Sequence, residues 1–323
     1  MVTSDPTYKN DGKNRLNPTN GSWWIVQIQP TSSCNILQHE APRPYSSHMF
    51  LTPYSRLTWA YQLHYYLCFR THRRRLAFEG KTAQLIDVLD DICSRHGYHL
   101  LKCQPRPDQL RCLLSLKPDQ TIANVMKTIK TNSSRESCIQ LGLTAPVWAR
   151  GYLAKSIGRV RLDAVRNYLE QQSKHHGYDS RIRPPVYRYR TTSPIQLKAT
   201  HAWFDLNHHV VLSTKQRQGV FTSDLGRALS DYWLTVAAMR GFAIDQISVV
   251  PDHVHLLVRI TAKMSIEECV LSLMNNEQHF IGKNFPQVLI ELGLNQLWEA
   301  SAYAGTCGEL TTALLKAWLS QSL

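Results

Sequence analysis

The chain has 323 residues, 43% of them hydrophobic, and 37 Lys+Arg against 24 Asp+Glu give it a formal net charge of +13. That length accommodates two domains with cores of their own, and the charge favours a polyanionic partner. An uncharged apolar run of about eighteen residues is absent and the opening MVTSDPTYKNDGKNRLNPTNGS has no apolar signal core, so a soluble, cytoplasmic protein without a membrane partner is expected.

Residues 1–54 read as an N-terminal extension, mostly loop, with SWWIVQIQP (22–30) as one extra strand and Trp23 and Trp24 as packing anchors. From residue 55 onward the chain repeats itself. YQLHYYLCFRTHRRRLAF (61–78) lies over FDLNHHVVLSTKQRQGVF (204–221), and Gly97, Pro107-Asp108, Trp148, Gly158 and Tyr168 fall on Gly241, Pro251-Asp252, Trp298, Gly308 and Trp318. The expected domains are therefore 55–175 and 197–323, joined by a linker over 176–196.

Each copy reads as a strand, a polar loop, a helix, two strands meeting at the Pro-Asp turn, a helix, a short strand and a last helix. In the first copy the spacing predicts these over 59–69, 81–96, 98–104, 109–116, 120–131, 151–155 and 160–174. That order implies an α+β fold, an antiparallel sheet with packed helices.

Positive charge is concentrated in the first copy and linker. Residues 55–195 hold 24 Lys+Arg against 10 Asp+Glu, whereas 196–323 hold 9 against 11. RTHRRR (70–75) and RIRPPVYRYR (181–190) are the densest runs, so Arg70, Arg73, Arg74, Arg75, Arg181, Arg183, Arg188 and Arg190 are candidate nucleic-acid contacts. Tyr187 and Tyr189 among them suit base stacking; the alternative is a solvated basic face. The eight cysteines contain no C-x-x-C pair, which argues against a zinc ribbon or a disulfide framework and for reduced thiols in the core.

VPDHVHLLV (250–258) is the chemically suggestive stretch. A strand's period of two puts His253 and His255 on one face, as half of a metal site or as two half-buried strand histidines. Asp252 is a candidate to orient a histidine or simply a turn former. His208 and His209, on the first strand of the second copy, could approach this site but read as mainly structural; His175 and His176 have no assigned role.

TKQR after the first strand, PDHVHLLV, and then LW…S.Y…T.G before a last helix resemble the single-tyrosine HUH transposases of the insertion-sequence 200/605 group and their repeat-associated relatives. The resemblance covers both copies. It implies ferredoxin-like sheets with helices on one side, and two histidines and a glutamine that bind Mg²⁺ or Mn²⁺. It also implies a tyrosine on the last helix that attacks a phosphodiester of single-stranded DNA carrying a hairpin. Carried over by position, it divides the motif: the second copy keeps His253 and His255 but has Trp318 and Ser322 for the tyrosine and glutamine. The first has Gln109 and Arg111 for the histidines but keeps Tyr168 and Gln172, four apart on one helix face.

Since that family works as a homodimer with sites built in trans, the resemblance implies one composite site. Tyr168 would be its nucleophile and His253, His255 and Gln172 its metal ligands. The chain would be a monomeric pseudo-dimer, with further dimerisation left open, associated with the nucleoid. The rival readings are a catalytically silent hairpin-DNA-binding protein, a repressor or architectural factor, and more distantly an RNA binder.

Overall fold

Period-two apolar patterns become strands and the longer amphipathic runs become helices, in the order the repeat predicts. The computed structural model describes residues 52–171, 187–197, 201–313 and 315–316. The first copy contains β1 (Thr58–Gln62), β2 (His64–Arg70), α1 (Thr82–Arg95), β3 (His99–Arg106), β4 (Gln109–Ser115), α2 (Ile122–Leu141), β5 (Tyr152–Ile157) and α3 (Leu162–Gln171). After β6 (Tyr187–Arg190), the second contains β7 (Ala202–Asp205), β8 (Asn207–Thr214), α4 (Ser223–Arg240), β9 (Ala243–Val250), β10 (His253–Arg259), α5 (Ile266–Asn284), α6 (Pro286–Glu291) and β11 (Trp298–Cys307). The fold is α+β: two tandem ferredoxin-like domains forming a pseudo-dimer. The segment 22–30 lies outside the described residues. No described helix is long and apolar enough to cross a membrane.

The first strand of each copy, expected as one run, is broken, and its two parts belong to different sheets. β1 pairs in parallel with β11 of the second copy, and β7 in parallel with β5 of the first. The sheet orders are therefore β1-β11-β8-β10-β9-β6 and β3-β4-β2-β5-β7, each copy lending a strand to the other as the subunits of an isologous dimer do.

Two hydroxyls hold this crossing together. Ser156 Oγ accepts from Asn207 N at 2.8 Å and donates to the Cys307 carbonyl at 2.6 Å. Its counterpart Thr306 Oγ1 accepts from His64 N at 2.8 Å and donates to the Ile157 carbonyl at 2.8 Å. Each copy thereby satisfies the backbone of the other where the strands part, which a buried break requires.

Helix ends follow local chemistry. Thr121, Thr222 and Ser265 accept from the backbone N–H three residues on and start α2, α4 and α5. α2 runs ten residues past its expected end at 131, because nothing breaks it before Gly142, which closes it in the left-handed region at φ 64°. The linker also differs from expectation. Its alternating Tyr-Arg-Tyr-Arg forms β6, which covers the open edge of β9. Tyr187 and Tyr189 are half-buried and pack against the core, so the sheet, not a DNA base, takes their rings.

One apolar core spans both copies. Trp148 packs on Phe69 and Phe78, and its equivalent Trp298 on Phe221 and Trp233. The indole N–H of Trp148 donates to Ser133 Oγ; that of Trp298 donates to the fully buried Glu277 carboxyl. Burial raises the Glu277 pKa well above the usual carboxylate range. Below about pH 4.3 the folded and unfolded chains both hold this proton, and above it only the folded chain does. Its contribution therefore destabilises the fold as pH rises towards neutrality. Glu277→Gln should flatten that slope, gaining stability relative to the parent between pH 4 and pH 8 in thermal melts; a constant difference across that range would contradict it.

Candidate active site on the histidine face

The antiparallel register of β8, β10 and β9 decides which side chains share a face. His253 pairs with Ser213 and Val250, His255 with Val211 and Ser248, and Leu257 with His209 and Gln246. Directly opposed residues point the same way, so His253, His255 and His209 stand together above one side of the sheet. The other side, with Val254, Leu256 and Val258, belongs to the core under α4 and α5.

Both histidines of the motif are buried, at 2% and 5% exposure, and their rings meet edge to face at 4.9 Å. Asp252 Oδ1 lies 2.6 Å from His253 Nδ1. A carboxylate only accepts, so Nδ1 carries the proton and Nε2 the lone pair. Arg217, from the TKQR stretch, binds the other Asp252 oxygen at 2.8 Å and Ser213 Oγ at 3.1 Å. The line Arg217–Asp252–His253 thus fixes the first imidazole.

His255 is fixed differently. Its Nδ1 is 2.9 Å from His209 Nε2, with the two rings stacked at 5.2 Å. Burial lowers the His209 pKa to about 4, so this ring is neutral near pH 7. The arrangement in which His255 donates and His209 accepts puts the His255 lone pair on Nε2, as the Asp252 bond does for His253. His209, read from sequence as structural, is therefore the orienting partner of His255. Its alternation with Val211 and Ser213 was the available signal. Its neighbour His208 faces the opposite way and meets Tyr65 Oη of the first copy at 2.8 Å.

Above these rings lies a helix of the other copy. Val165 and Leu169 of α3 pack on Leu257 and Cys307, and Tyr168 beside them is half-buried. The Tyr168 ring is 5.6 Å from His255 and 6.3 Å from His209, edge-on to both. Gln246 Nε2 donates to the Arg166 carbonyl at 3.3 Å, and Arg190 of β6 pairs with Glu170, tying α3 to the sheet edge. Tyr303, unassigned from sequence, shares the face, with its ring 5.8 Å from His209 and its pKa raised by burial.

The two imidazoles fit a divalent cation: each can present Nε2, and each is oriented through Nδ1. The buried oxygens Ser248 Oγ and Gln246 Oε1 on the same face have no hydrogen-bond partner. Gln172 lies outside the described residues, among which no group of three or more His, Cys, Asp or Glu could hold a metal.

The arginines of the basic runs are dispersed. Arg70 is exposed at the end of β2, and Arg73 and Arg74 are exposed in a tight turn with φ of 55°. Arg75 turns its guanidinium to the carbonyls of His72, Thr144 and Pro146. Arg188 and Arg190 are exposed on the histidine side of β6, opposite Ser248 and Gln246. Arg181 and Arg183 lie outside the described residues.

Comparison with known proteins gives the same double pattern. A family described as "Transposase IS200 like" matches residues 59–172 and again 202–322. The ISDra2 transposase TnpA of Deinococcus radiodurans is 27% identical over 127 residues, which span 39% of this chain and 91% of that protein. The transposase for insertion sequence element IS200 of Salmonella typhimurium is 21% identical over 114 residues, 35% of this chain and 75% of that one. A solved REP-associated tyrosine transposase bound to a REP hairpin aligns over 44% of this chain and 76% of its own, at 14% identity and a TM-score of 0.26. With the family matched twice over more than half of its length, this chain belongs to the IS200-like transposases.

Proposed function

We propose that the protein is a metal-dependent single-stranded DNA endonuclease and strand transferase with one composite active site, Tyr168 from the first copy and His253 and His255 from the second. The observation that carries this reading is that α3 leaves its own sheet and lays Tyr168 over the histidines of the other copy. A divalent Mg²⁺ or Mn²⁺ held by the two imidazoles, with Gln172 as further ligand, would neutralise charge on the scissile phosphate. The chain's own residues do the rest. Asp252 and His209 hold the imidazoles in the tautomer that presents Nε2. Leu257 and Cys307 seat α3, and its packing keeps the phenol above the rings and limits water. The Tyr168 phenol gives up its proton as its oxygen attacks phosphorus, the bond to the 3′ oxygen breaks, and that oxygen takes up a proton and leaves as a 3′-hydroxyl, with no net change in protons. A 5′-phosphotyrosine results, and the reverse attack by a 3′-hydroxyl reseals a strand without ATP.

The DNA partner follows from the family, and a hairpin-bearing single strand is the form we propose. The test is a denaturing gel of protein incubated with single-stranded oligonucleotides, with Mn²⁺ or with EDTA. A covalent adduct that appears only with the metal is expected. Non-covalent hairpin binding without an adduct would favour the catalytically silent DNA-binding reading.

Counting sites gives a further expectation. If α3 carrying DNA swung to its own sheet, Tyr168 would meet Gln109 and Arg111 instead of histidines. A single chain should therefore nick and reseal one strand but not excise a circle from a two-ended substrate. Circle formation by protein shown to be monomeric during the reaction would overturn this.

A further inference from the structure

The first copy's counterpart of the histidine face can be compared with it position by position, because the two sheets share their registers. Arg111 stands in place of His255 and Gln109 in place of His253. Around them Arg70 replaces Ser213, Lys102 replaces Gln246, Arg106 replaces Val250 and Lys155 replaces Gly305. Apart from Gln109, these positions carry no formal charge in the second copy and are cationic in the first. Acidic groups near it among the described residues include Glu309, 3.6 Å from Lys155, Asp205, which accepts from the Asn207 side-chain amide at 2.7 Å, and Asp108, the counterpart of Asp252, in the turn before Gln109.

Two further observations point to a ligand. Arg106 Nε is buried and has no hydrogen-bond acceptor, an expensive condition for a charged donor. Trp203 of β7 is 57% exposed, with Lys155 Nζ 5.0 Å above its ring, on the same side of the sheet through its pairing with Leu153. Leu315 covers the middle of the face at Leu113 and Ile157.

We infer that this face is a second, metal-independent site for single-stranded DNA. Arg70, Lys102, Arg106, Arg111 and Lys155 neutralise backbone phosphates, a task that a divalent cation would supply on the other copy, and Trp203 stacks an unpaired base. The inference rests on the reading of the chain as a DNA-processing enzyme, not on the identity of the nucleophile. It gives the lost active site a use: it retains one strand while the composite site cuts another.

The test is fluorescence anisotropy of a labelled single strand and of the matching duplex, with the full chain in EDTA over a range of KCl. Arg70→Gln/Lys102→Gln/Arg106→Gln should flatten the slope of log K against log salt by roughly 2, at about 0.7 per single-strand phosphate contact. Trp203→Ala should weaken the single strand about tenfold and the duplex little. Unchanged slope and affinity would overturn the proposal, as would equal losses for strand and duplex in Trp203→Ala. Should the triple variant fail to fold, the single changes at the exposed Arg70 and Trp203 give the same two readouts. Adduct formation with Mn²⁺ is scored separately: its absence in the parent, with the EDTA effects retained, would refute the catalytic reading and leave this one standing.

Discussion

Tyr168→Phe should lower covalent adduct formation on single-stranded DNA by roughly 10⁴-fold or more, as removal of a nucleophile does, and His255→Ala should abolish it through loss of the cation. The control is Tyr303, a second phenol on the same face. Its ring meets His209 rather than His255, and its hydroxyl lies over Gly305 of its own strand, so Tyr303→Phe should retain the adduct. Trp318, which has no nucleophilic oxygen, should also be replaceable by Phe. His209→Ala distinguishes orientation from ligation. If His209 only sets the His255 tautomer, the variant should bind Mn²⁺ more weakly in a direct metal titration, on the order of 10- to 100-fold, and recover part of its activity at high metal. An adduct formed by Tyr168→Phe would assign the chemistry to another residue.

The duplication was legible in the sequence because it resides in residue identity: Gly158 with Gly308, Trp148 with Trp298 and the Pro-Asp turns; the proposed division of labour rests in the same way on a Tyr and a His-x-His on opposite copies. The break in the first strand was not. The apolar alternation runs straight through Leu63 and Leu206, and the sheet that each half joins depends on partners such as Thr306 and Ser156, distant in sequence. His209 was undervalued for a related reason. A strand histidine gains its role from what the neighbouring strand places opposite, and only the register with Leu257 brings it to His255. The cationic replacement of the first copy's site was visible as net charge but not as one face. Arg70, Lys102, Arg106, Arg111 and Lys155 come from four strands, and register alone aligns them.

The largest stability effect is expected where the two copies cross. A Cβ at Gly158 would fall closer than 3.0 Å to the carbonyl oxygens of Thr306 and Val160, and one at Gly308 equally close to the carbonyl oxygen of Ser156. These are backbone atoms locked by the Ser156 and Thr306 hydrogen bonds, so no flexible side chain can yield. Relief requires that the copies move apart, with loss of the bridges from Gly158 to Thr311 and from Arg161 to Gly308. Gly158→Ala and Gly308→Ala should each cost about 3 kcal/mol or more, the upper range of overpacking, and lower the melting temperature by on the order of 10 °C. Gly142→Ala is the comparison: its φ of 64° is strained for alanine, but nothing lies within 4 Å of the added carbon, so about 1–2 kcal/mol is expected. Because Gly308 leads into the last helix of one copy and Gly158 into α3 of the other, Gly158→Ala should also displace Tyr168 and reduce adduct formation at temperatures where the chain remains folded. Equal small losses at all three glycines would mean that the crossing is looser than its hydrogen bonds imply.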